Sequence, residues 1–220
     1  MQREATVQGE VHGTTKDTRA LLQHGLDGYD AVVVEGRSPT LVVRELTLGY
    51  AAFLMGYVSL MWFQSAVTRL RSRWGGRLDL RRVAECRGVA YHDRIDADTA
   101  AVYEMVPRWG KRLIGGCLLA LLALATVAAI NRFVLVAFAL ALPYLYTTLV
   151  VVLIKLTGSA RATYMAESIT KLAEKRSYDR VVVLCGDAHR EDVREALEAR
   201  NWRVETRKSN HPLRRLFAGR

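Results

Sequence analysis

The sequence predicts an α/β protein: a small parallel or mixed sheet with flanking helices, interrupted by a transmembrane helical hairpin. Three observations carry that expectation. Strand-like runs at residues 7–11, 31–34 and 181–185, the last two apolar throughout, each lead into a turn with glycine and ionisable side chains. Helical segments lie between strands, the order of a βαβ unit with a right-handed crossover. Finally, residues 113–156 form a 44-residue block whose only charges are Arg132 and Lys155.

In chain order, residues 1–45 read as strand, helix, strand. Asp17-Thr18 starts the helix, and Gly25 and Gly28 end it. Residues 46–63 are a second apolar run, 18 residues without a charge, carrying Gly49 and Gly56 on one helical face. By length this run is interfacial, packed in the fold, or a third span. A basic stretch follows (Arg69, Arg71, Arg73, Arg77, Arg81, Arg82, Arg87), then a short strand at 89–91 and a helical segment to about residue 112. One spanning helix needs about 20 apolar residues, so the 44-residue block reads as two helices with a turn at Asn131-Arg132. Pro143 falls inside the second, where membrane helices tolerate it. A helix at 160–176, the strand at 181–185, a charged helix at 191–200 and an edge strand at 202–206 complete the fold. The expected division is therefore 1–112 as the first part of the α/β domain, 113–156 as membrane helices, 157–207 as its second part, and 208–220 as a basic tail.

The net charge of +10 admits nucleic acid or a membrane surface as partner. The uneven hydrophobicity favours the bilayer, with basic flanks on the cytoplasmic side, and no nucleic acid is expected. Cys86, Cys117 and Cys185 lack metal-ligand spacing and read as reduced, buried residues. The N-terminus lacks a signal-peptide layout. The expectation is an integral protein of the cell membrane with its soluble domain in the cytoplasm.

The chemistry-bearing residues recur at strand exits. Glu35 follows four apolar residues and precedes Gly36; a carboxylate there is a general base, a metal ligand, or a turn residue paired with Arg37. His189 ends Gly186-Asp187-Ala188-His189, either as a site imidazole or beside a helix start capped by Asp187. Asp93-Arg94 is an anion clamp or an ion pair. No His-Glu-x-x-His pair, phosphate-binding glycine loop or serine elbow is present in the sequence, which removes most of the prior for zincins, nucleotide binding and serine hydrolysis.

Taken together, the motif order resembles the TraB/PrgY family, related to the Tiki and GumN proteins. Gly13-Thr14 resembles its first Gly-x-x-His turn, and residues 32–35 with Arg37 its strand ending in glutamate. Tyr91-His92-Asp93-Arg94-Ile95 with Thr99 is similar to its Asp-Arg segment; Arg161 with Met165-Ala166 resembles its Arg-x-x-x-Met-Ala helix, and Gly186 to His189 its second Gly-x-x-His. The resemblance implies a TraB/Tiki-like fold and metal-dependent hydrolase or peptidase-like activity on a peptide or small signal. It assigns Glu35, His189 and Arg161 to catalysis, Lys16, Arg37, Asp93 and Arg94 to binding, and Glu35 and His189 to a divalent transition metal, with His12 as a further ligand candidate. Lys16 stands where the family's first histidine would be, and a charged lysine is a poor metal ligand. It instead suits an anionic group beside Glu35 and Arg94. The alternative is a non-catalytic membrane regulator or signal-binding protein that has lost the metal. The bilayer, a peptide or small-molecule ligand, and a homo-oligomer are the expected partners.

Overall fold

The computed structural model describes residues 2–10, 16–36, 47–72, 79–128 and 132–209. Its strands are β1 (Glu4–Glu10), β2 (Ala31–Val34), β3 (Ala90–His92), β4 (Arg180–Gly186) and β5 (Arg203–Arg207). Its helices are α1 (Lys16–His24), α2 (Leu48–Ser72), α3 (Leu80–Cys86), α4 (Thr99–Met105), α5 (Arg108–Ala128), α6 (Arg132–Leu156), α7 (Gly158–Arg176) and α8 (Arg190–Glu198). They group into two units: an α/β unit (1–38, 68–97, 158–220) and a helical unit (39–67, 98–157). Most of the apolar run at 46–63 and the segment 98–112 thus group with the block at 113–156, whereas the sequence alone places 1–112 in the α/β part and leaves 46–63 interfacial, packed or spanning.

In the α/β unit the five strands lie in the order β3-β2-β4-β1-β5, and every neighbouring pair is parallel. β4 pairs with β2 on one side and β1 on the other, so the strand ends expected to converge do share one edge. The central strand is a Val-rich run because it is covered on both faces. Val181, Val183 and Cys185 join Ala5, Val7, Ala31 and Val33 against Ala162, Met165, Ala166 and Ile169 of α7 and Val193 and Leu197 of α8. On the other face Val32, Val182 and Leu184 pack with Leu21 of α1, Leu26 and Ala84 of α3. Burying each such aliphatic side chain contributes about 1.5–3 kcal/mol, which is why an uninterrupted apolar strand ends up central.

The connections after β1 and after β4 run in opposite directions and over opposite faces, since α1 covers one face and α7 and α8 the other. That makes the β1/β4 boundary the switch point of a doubly wound sheet, where ligands bind outside the carboxyl ends of the strands. Backbone bonds lock this edge: Asp187 N–H donates to Glu10 O at 3.0 Å and Glu35 N–H to Leu184 O at 2.8 Å.

In the helical unit, α2 turns Tyr50, Phe53, Tyr57 and Leu60 inward, with Phe53 and Tyr103 rings 5.4 Å apart. A Cβ at Gly49 would stand 3.1 Å from Lys111 O on α5, and one at Gly56 3.0 Å from Tyr146 on α6. The shared glycine face is therefore a packing face, as the spacing implied. Helix α5 over Arg108–Thr126 is long and apolar enough to cross a membrane, and Leu48–Trp62 is a shorter apolar helix.

Candidate functional site

Three side chains from distant parts of the chain meet at the carboxyl edge of the sheet. Glu35 follows β2, Asp96 lies in the segment after β3, and Arg161 sits on the first turn of α7. All three are buried, with exposures of 3%, 5% and 1%. Arg161 Nη2 donates to Glu35 Oε1 at 3.1 Å, and Arg161 Nε donates to Asp96 Oδ1 at 3.1 Å. A second short contact joins Arg161 Nη2 to Asp96 Oδ2, completing a bidentate fork. The other Glu35 oxygen accepts the Gly186 N–H at 2.6 Å, and Asp96 Oδ1 also accepts from Ala97 N–H at 2.8 Å. Glu35 is thereby tied to the helix bearing Arg161 and to the turn bearing His189.

His189 occupies the N-cap position of α8 and makes no side-chain cap bond; its N–H donates to Gly186 O at 2.8 Å. Its ring lies against the start of α7, where a Cβ on Gly158 would be 3.6 Å from Nδ1. Burial pushes the imidazole below its ordinary value, and the Arg161 guanidinium acts in the same direction, while Glu35 and Asp96 pull the other way. His189 is therefore neutral at pH 7. The expectation that Asp187 caps the next helix is corrected. Its carboxylate instead accepts Ser209 N–H at 3.1 Å, because the chain after β5 folds back over the turn.

Of the other expected site residues, Asp93 and Arg94 have exposed side chains outside the buried cluster. Their backbone matters more: a Cβ on Gly36 would be 3.1 Å from Arg94 N, so glycine lets this loop pass close beside Gly36 without displacement. Arg94 takes φ 64°, a left-handed conformation uncommon outside glycine. Lys16 begins α1. His12 and Arg37 lie outside the described residues.

Sequence reasoning stopped at Arg94 and missed Asp96, two residues on. It also missed Arg190, whose buried guanidinium donates to Glu191 at 2.6 Å while its Nε and Nη1 make no hydrogen bond. No spacing rule links residues 35, 96 and 161; the signal available was a third ionisable residue in the same strand-exit segment. His92 is engaged elsewhere, its Nε2 lying 3.0 Å from Tyr178 Oη.

The donor chemistry of this cluster does not fit a resident divalent transition metal. Glu35 already accepts from a guanidinium, whose positive charge repels a cation, and a catalytic zinc needs three protein ligands. Among the described residues no three His, Cys, Asp or Glu side chains are grouped to hold a metal. What the arrangement offers is a neutral imidazole beside a fixed carboxylate network, suited to moving a proton or to holding a polar ligand. Compared with known proteins, the chain matches no family model, no curated protein and no solved structure.

Proposed function

We propose that this chain is a membrane-anchored, TraB/PrgY-like protein whose α/β unit performs hydrolase-like chemistry on a peptide or small signal. The observation that carries the reading is the Glu35–Arg161–Asp96 network, assembled from three separate elements at the sheet's carboxyl edge and bonded to the turn that presents His189. A buried charged network is costly to desolvate, and such a cluster at the carboxyl edge of a parallel sheet is a candidate functional site. In this reading His189 is the acid/base group, Glu35 sets the field and orientation at the imidazole, and Arg161 is a positioning residue, since it is too buried to meet substrate.

The anchor is the α5–α6 hairpin. Parity supports it. β2 and β3 are neighbours in one sheet, so the chain between them returns to the side it left; among the described residues that segment has one long helix, α2, which in this reading does not cross. The segment from β3 to β4 must also return, and it contains the two long apolar helices α5 and α6. With cytoplasmic Arg-rich flanks, the α/β unit faces the cytoplasm.

A second reading is favoured by one specific observation: both Glu35 oxygens already accept hydrogen bonds, as in a structural staple. That suits a non-catalytic regulator that binds a signal without turning it over. The two separate in one experiment. The full chain in lipid nanodiscs is incubated with a synthetic peptide mixture, and new fragments are sought by mass spectrometry. Cleavage lost in His189→Ala, with retained circular dichroism, supports the hydrolase; cleavage untouched by His189→Ala and Glu35→Gln sinks it. Peptide retention without cleavage selects the regulator.

A further inference from the structure

The first three turns of α5 carry a surface that the α/β site does not use. Arg108 and Arg112, one turn apart, are exposed, and neither takes part in an ion pair or hydrogen bond among the described residues. Trp109 lies between them, 56% exposed. The same stripe continues at four-residue steps through Gly116 and Ala120, with Leu113 alongside, and these residues line one shallow groove. A Cβ on Gly116 would meet nothing within 4 Å, so the groove floor is open. The opposite face, with Gly110, Ile114 and Gly115, is buried in the helical unit. Helix α5 has no acidic residue, and the nearby Lys111 ammonium donates to the Glu104 carbonyl at 3.0 Å.

We infer that this groove binds one anionic phospholipid, its phosphate held by Arg108 and Arg112 and an acyl chain lying along Leu113, Gly116 and Ala120. The inference rests on the reading of α5–α6 as a membrane hairpin. Charge complementarity selects the occupant. A second copy of the chain would set arginine pair against arginine pair, whereas guanidinium groups bind phosphate oxygens in a planar fork. The distribution along the helix matches a lipid. From Arg108 to Ala120 is about 18 Å at 1.5 Å per residue, basic and aromatic at the start and apolar beyond. Exposed tryptophan at that boundary belongs at the headgroup level. Basic pockets on the cytoplasmic side of membrane helices bind anionic headgroups.

The test uses the full chain in nanodiscs of phosphatidylcholine with a minor fraction of phosphatidylglycerol, and counts retained lipids by native mass spectrometry. The wild type is expected to retain phosphatidylglycerol about thirtyfold over its share, in line with two basic side chains at an anionic surface. The double variant R108Q/R112Q should bring that enrichment to parity. Gly116→Leu keeps every charge but fills the groove, and should cut retention several-fold. Enrichment surviving either variant, or none in the wild type, overturns the site. Extraction of the chain from neutral vesicles by alkaline carbonate overturns the hairpin reading itself, and the site with it; firm insertion without lipid preference overturns the site alone.

Discussion

The two units of this chain treat apolar side chains in opposite ways. In the α/β unit, Tyr164 is the single large apolar residue left exposed among the described residues; all the others (Trp62, Trp109, Leu119, Leu122 and their neighbours) belong to the helical unit. Conversely, the buried charges Glu35, Asp96, Arg161 and Arg190 lie in the α/β unit. Exposed leucine is unremarkable singly, but a contiguous apolar surface marks contact with a membrane or partner. The difference teaches that the two units divide the side chains between them: apolar surface on one, buried charge in the other.

The sharpest way to break the comparison is to remove the charge that organises the α/β unit. Arg161→Met leaves Glu35 and Asp96 without their shared guanidinium, and breaking a buried pair costs about 3–5 kcal/mol. Urea unfolding followed by hydrogen exchange should show loss of protection in β2 and β4 while α5 in detergent keeps its own. Equal protection in mutant and wild type would show that the network is incidental to the fold. The helical unit is probed by Leu119→Asp, at the middle of the exposed face of α5. An acidic residue at the centre of a spanning helix costs about 2.5–3.5 kcal/mol of insertion free energy. Membrane recovery of the chain should fall steeply; unchanged recovery would mean that α5 does not face lipid.

The smallest effect is a pH dependence. His189 has a lowered pKa in the fold, chiefly through burial, so the unfolded chain binds its proton more readily. The folded state is therefore fully favoured above the ordinary histidine value of about 6.5 and loses stability as pH falls from there through the folded value. His92, lowered by burial and by Arg176, acts in the same direction. Replacing His189 with Asn should flatten part of that slope, measured as the denaturation midpoint between pH 7.5 and 5, and the remainder should vanish on replacing His92 as well. A slope that persists in full in the double variant excludes these imidazoles as its source.

The centre of the α/β unit was legible because β2 and β4 are continuous apolar runs that end at glycine turns, and such runs have few other uses. Residues 181–185 announced a strand ending in a glycine turn, and the sheet places that strand centrally. The Gly49 and Gly56 face was legible for the same reason, since small residues at helical spacing imply close approach. The site was less so. Glu35 and Arg161 were singled out on separate grounds, yet nothing in the sequence says that they touch across 126 positions, or that Asp96 rather than Asp93 completes them. Side-chain partnership depends on which strand inserts where, and that order is a tertiary fact. The Asp187 misassignment has the same origin: a local capping rule lost to a bond from Ser209, 22 positions away.

That insertion order has a consequence for how the protein is made. β4 pairs with both β1 and β2, and it follows the α5–α6 hairpin in the chain. A ribosome therefore delivers β1, β2, β3 and both long apolar helices before the strand that joins the sheet exists. Until then β1 and β2 have no strand between them, and contacts so distant in sequence form slowly. Closure of the sheet therefore follows synthesis of both long helices. The placement of one strand thus makes folding ordered: the sheet that carries the Glu35–Arg161 network can close only after both long helices have been synthesised.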